Sequence, residues 1–108
     1  MPDFNEIFEE LKTGALDLVK LTLKKYKDEA EADAKVFLED SKEKLEKWTS
    51  LLASGELTPS DFEWLVESQK DLLVMNGLKQ TALAKIRLDQ FKNSLLNLVV
   101  DTILDKVL

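Results

Sequence analysis

The chain has 108 residues, a net charge of −6, 44% hydrophobic residues, three glycines and two prolines. This length suits one domain, the hydrophobic content excludes a disordered chain, and the Leu, Lys, Glu and Ala surplus with few breakers predicts a mostly helical one. The acidic balance argues against a nucleic-acid module, and the lack of Cys and His removes thiol chemistry, disulfides, the commonest general base and the commonest nitrogen ligand for a metal.

The first arm, Asp3 to Ala53, is predicted as one helix. Asp3 and Glu6 stand as N-cap and N3 ahead of an apolar pattern. A stripe runs through Phe4, Phe8, Leu11, Ala15, Leu18, Thr22, Tyr26, Ala30, Ala34, Phe37, Ser41, Leu45, Trp48 and Leu52. Its steps average roughly 3.7 residues, above the 3.5 of a strict heptad, so long and fairly straight packing is expected. The apolar surface is broad from Phe4 to Leu23, narrows almost to alanine between Lys24 and Lys35, and widens again from Phe37 to Leu52.

Ser54 to Phe62 reads as a turn between helices. Gly55 suits the left-handed position past a helix end. Thr58 suits an N-cap, Pro59 the first helical position and Asp61 the N3 position. Leu57 and Phe62 then form the two ends of a hydrophobic staple.

The second arm, Thr58 to Leu108, carries an apolar face through Phe62, Leu65, Val66, Leu72 and Leu73, and again from Leu88 to Val107. Asn76-Gly77 is its weak point, and a helix that continues or bends there is the expectation, because Leu78 resumes the pattern without a capping residue. Lys85, Asp89, Asn93, Asn97, Asp101 and Asp105 form a narrow polar ribbon, so the end of this arm is apolar over more than one face.

The expected fold is therefore all-α: a long antiparallel hairpin with helices over about 3–53 and 59–107, and a possible kink or break at Asn76-Gly77. Facing residues have numbers summing to about 112 in such an antiparallel pair. Trp48 then meets Trp64, Ala30 and Ala34 face Ala82 and Leu78, and Phe4 to Leu21 lie beside residues 91–108. A lone hairpin of helices about 75 Å long leaves wide apolar faces uncovered. A homodimeric four-helix bundle resolves this. The alternative is a bend at Gly77 that gives a compact three-helix monomer, or a four-helix one if the first arm also breaks near residues 27–35.

The chemistry is sparse. No phosphate-binding loop is present, and the Ser and Thr residues have no His to activate them. Acidic pairs such as Glu9-Glu10, Asp28-Glu29 and Glu39-Asp40 read as solvated helix faces. Without His, a di-iron bundle site is impossible, and no EF-hand spacing is present. Arg87, the sole arginine, reads as a routine surface charge, with a salt bridge to an acid of the first arm such as Glu29 as the alternative. Asn76 and Gln80 are candidates for buried polar residues that set register. We expect no cofactor.

These features predict a non-enzymatic structural or interaction protein that self-associates, with a dimer favoured over a helical protein partner. The expected interface is Phe4, Ile7, Phe8, Leu11, Leu16 and Val19 with Leu95, Leu96, Val99, Val100, Ile103 and Leu104. In composition and periodicity alone the chain is similar to granule-coating phasins and apolipoprotein-like helices, which implies peripheral binding to a hydrophobic surface as the alternative. The acidic start, Met1 to Glu6, is not a signal peptide, and the longest nearly apolar run, Leu95 to Val100, is far too short to span a membrane, so a cytoplasmic location is expected.

Overall fold

A computed structural model describes residues 3–81 and 83–108. These residues form five α-helices in order: α1 (Phe4–Thr22), α2 (Lys27–Ala53), α3 (Pro59–Glu67), α4 (Asn76–Lys79) and α5 (Lys85–Val107). Short 3-10 turns at Lys24–Tyr26 and Ser68–Leu72 join α1 to α2 and extend α3. The described residues contain no strand, and the fold is all-α.

Asp3 caps α1 by accepting the Asn5 N–H at 3.1 Å. The 54–62 turn forms as its chemistry dictates. Gly55 has φ +80°, its N–H donates to the Leu52 carbonyl at 3.2 Å, and the Glu56 N–H donates to the Leu51 carbonyl at 2.9 Å. This pair of bonds is the Schellman closure of α2. Thr58 Oγ1 accepts the Asp61 N–H at 3.1 Å and so caps α3, with Pro59 in its first turn. Phe62 is fully buried, and Leu57 packs half-buried on the core.

Each arm differs from the continuous helix expected of it. The first breaks at Leu23, whose φ −130° and ψ 41° end α1. Neither Gly nor Pro stands there. The Thr22 hydroxyl instead donates to the Leu18 carbonyl at 2.6 Å, a local bond that competes with a regular helix end, and the Leu23 side chain turns into the core. The second arm does not continue or merely bend at Gly77. It leaves α3, passes through the 3-10 turn into Leu73-Val74-Met75, and starts the short α4 at Asn76. Burial alternates across the extended link, with Leu73 and Met75 inside and Val74 outside.

The outcome is the hairpin folded across its waist. Its register survives: Gly14 lies against Leu98, Thr22 against Arg87, Asp33 against Gly77 and Leu78, and Lys44 against Gln69. The expected Ala30–Ala82 contact falls on a residue outside those described. Doubling over also sets α1 antiparallel to α2, with the Lys12 ammonium 3.6 Å from Glu39. The helix α1 therefore packs between α2 and α5, and α3 covers α5. The molecule measures 44 × 23 × 20 Å, well short of a 75 Å hairpin.

The apolar stripe of the first arm explains the core. Phe4, Phe8, Leu11, Ala15, Ala30, Ala34, Phe37, Leu45 and Leu52 are all buried, as is Ser41. Small residues allow close helix approach: a Cβ on Gly14 would sit 3.1 Å from Leu98 Cδ1.

Candidate interaction surface

Ten of the twelve residues expected at a self-association interface are buried in the chain's own core: Phe4, Ile7, Phe8, Leu11, Val19, Leu95, Leu96, Val99, Val100 and Ile103. Leu104 is half-buried against the same core. The faces too wide for two helices are thus covered by folding one chain back on itself. Leu16 alone is exposed, above a cleft of about 500 Å³ between α1 and α2, lined by Ala15, Ala32 and Leu38 with Lys12, Glu31 and Lys35 at its edge.

The exposed apolar surface lies elsewhere. Val36 on α2, Leu72 at the end of the 3-10 turn and Val74 in the extended link are 57%, 63% and 47% exposed, and all three line one groove of about 270 Å³. Phe37 forms part of its wall, with Asp40, Ser41, Lys44, Gln69 and Asn76 as polar lining. The Lys44 ammonium donates to Gln69 Oε1 at 3.3 Å across this groove. The alternating burial of 73–75 forces Val74 outward, because Leu73 and Met75 must both reach the core.

One charged residue anchors the segment that follows this surface. Asp33, on α2, accepts the Gly77 N–H at 3.0 Å and the Leu78 N–H at 2.8 Å. Both donors sit in the first turn of α4, which has no cap of its own. A carboxylate there satisfies two orphan N–H groups and meets the positive helix end. Sequence reading missed Asp33. Its signal was position, since Asp33 lies three residues after Ala30 and four before Phe37, inside the buried stripe.

Arg87 reaches the first arm, but its partner is a carbonyl and not Glu29: Nη2 donates to the Thr22 carbonyl at 2.9 Å, closing the C-terminus of α1. Asn76 and Gln80 are exposed and do not act as buried register residues. Trp48 packs half-buried on the core, whereas Trp64 is 68% exposed, so the two tryptophans do not close the turn end together. The polar ribbon from Lys85 to Asp105 is exposed throughout.

Among the described residues no group of three or more Asp or Glu is placed to hold a metal ion, and no helix is long and apolar enough to cross a membrane. Fold and surface together define an all-α helical bundle with a partly apolar groove beside its linking segment. No protein-family model, curated protein or solved structure matches the chain.

Proposed function

We propose that the protein is a non-enzymatic interaction module, a folded helical bundle that self-associates as a dimer through the groove of Val36, Leu72 and Val74. One observation carries this reading: three aliphatic side chains, one from α2 and two from the linking stretch, converge on one groove while more than half of their combined surface stays in water. Keeping such a patch wet is unfavourable, and patches of this kind mark association sites.

The polar lining suits a second copy of the same chain. Asp40 and Lys44 stand one helical turn apart along the groove, both exposed. A two-fold axis across the groove brings Asp40 of each copy toward Lys44 of the other, so the surface is complementary to itself. Sedimentation velocity of the purified chain tests the reading. A dimer at micromolar concentration is expected, converted to monomer by Val36→Glu with Val74→Glu. A strict monomer at all concentrations, or a dimer indifferent to that pair, overturns it.

A further inference from the structure

The net acidity conceals two basic stretches of the chain. Residues 20–27 and 79–92 hold eight of the fifteen basic residues, Lys20, Lys24, Lys25, Lys27, Lys79, Lys85, Arg87 and Lys92, against one acid, Asp89. These two stretches carry +7 and the remaining chain −13. They are far apart in sequence, and the fold joins them. The Arg87 bond to the Thr22 carbonyl, 2.9 Å long, ties the start of α5 to the end of α1. Lys79, Lys85, Ile86, Asp89, Gln90 and Lys92 line one cleft, and Thr22, Leu23, Arg87 and Gln90 line the next.

Nearby acids leave most of these cations without an ion pair. Asp89 is held by Lys70 at 2.9 Å, and Lys27 pairs with Glu31 at 3.9 Å. Asp17, Asp28, Glu29 and Asp33 also border this end, so that its eight cations stand beside six acids in all. Lys20, Lys24, Lys25, Lys79, Lys85 and Lys92 form no ion pair among the described residues. Standing among them are the two most exposed large aliphatic side chains inside the bundle's helices, Leu21 at 84% and Ile86 at 72%.

A cationic end with protruding aliphatic residues fits one class of surface. Lysines near an anionic bilayer gain from its surface potential, while aliphatic side chains enter the boundary between headgroups and acyl chains. Nucleic acid fits less well. Leu21 and Ile86 offer no stacking face, and the only guanidinium is already engaged by the Thr22 carbonyl. The molecule is 44 Å long. Repulsion from acids at its far end is screened at physiological salt, where the Debye length is about 8 Å.

We infer that this end of the bundle docks on an anionic lipid surface, the lysines facing the headgroup phosphates and carboxylates and Leu21 and Ile86 entering the interfacial layer. The bundle stays closed, and the Val36 groove is not part of the contact.

Flotation of the full chain tests this, using phosphatidylcholine vesicles with and without about three-tenths phosphatidylserine. Partitioning onto the anionic vesicles is expected to be at least about tenfold stronger and to fall about tenfold when salt is raised from 50 to 500 mM. Lys24→Glu with Lys25→Glu abolishes it, and Leu21→Asp with Ile86→Asp lowers it about tenfold at fixed salt. Lys47→Glu with Lys106→Glu makes the same charge change at the other end and preserves binding. Should the 24/25 variant lose helical circular dichroism, Lys79→Glu with Lys85→Glu decides in its place. Equal binding to neutral vesicles, no binding to anionic ones, or equal loss in the 47/106 variant overturns the inference. Binding to duplex DNA alone, insensitive to Leu21→Asp with Ile86→Asp, overturns it too. Sedimentation without lipid reports on the dimer separately, so either idea can fail without the other.

Discussion

The two carboxylate oxygens of Asp33 take the N–H groups of Gly77 and Leu78, at 3.0 and 2.8 Å, across more than forty residues of chain. This is the cap of a four-residue helix that has no other. Removing the carboxylate leaves two donors, one of them buried, without a partner. Asp33→Ala is therefore expected to cost about 2–3 kcal/mol in urea unfolding, and Asp33→Asn somewhat less, because an amide oxygen satisfies only one donor. Unchanged stability in Asp33→Ala would mean that α4 contributes nothing to the fold.

Gly77 is coupled to that carboxylate. A Cβ at Gly77 would lie 3.2 Å from both Asp33 oxygens and 3.4 Å from Glu29 Cβ. Gly77→Ala is expected to destabilise by about 1 kcal/mol even though alanine favours helix by a similar amount. In an Asp33→Ala background the crowding disappears, and the same substitution becomes neutral or stabilising. A double-mutant cycle reads this sign change directly.

Arg87 is exposed, so its bond to the Thr22 carbonyl is worth little in global stability. Arg87→Ala is expected to cost less than about 1 kcal/mol. Its effect is local: amide exchange in the last turn of α1, at Val19 to Leu23, accelerates several-fold while that of α2 is unchanged. Arg87→Lys restores part of the protection, since one donor still reaches the carbonyl.

Phe62 and Trp64 contrast two aromatic residues on one short helix. Phe62 is completely buried and Trp64 mostly exposed. Phe62→Ala is expected to cost about 3–5 kcal/mol, and Trp64→Ala less than about 0.5 kcal/mol, by thermal or urea unfolding. Both effects follow from burial alone, and helical propensity predicts neither.

At the turn, Gly55→Ala forces a side chain into φ +80° and Thr58→Ala removes the hydroxyl that accepts the Asp61 N–H. Each is expected to lower stability by about 1 kcal/mol, additively, because the two residues serve different helices. Free space surrounds a Cβ at Gly55, so the cost there is conformational and not steric.

What was legible in the sequence was local chemistry and pairing. Gly55, Thr58 and Pro59 carry short-range rules that tertiary structure did not override. The register also came through, since Gly14 and Leu98, or Asp33 and Gly77, sit across from each other as an antiparallel hairpin requires. The break at Leu23 was not legible. The Lys24-Lys25-Tyr26 turn contains no breaker, and its capping partner, Arg87, is 65 residues away. The chain bends there because one molecule must cover its own apolar faces, a demand of packing that no local window contains. The surface was hidden for a related reason. Net charge averages away the two basic stretches, and the exposure of Val74 follows only from the extended link between Leu73 and Met75.

The packing of α1 between α2 and α5 has a consequence for biosynthesis. The α2 side of α1 can be covered as soon as Ala53 is made, because that contact closes within one local hairpin. The other side faces α5, which is made after α1 to α4. Until its residues emerge, Phe4, Ile7 and Leu11 hold an incomplete core, and the emerging chain offers sticky surface on α1 until α5 has been made.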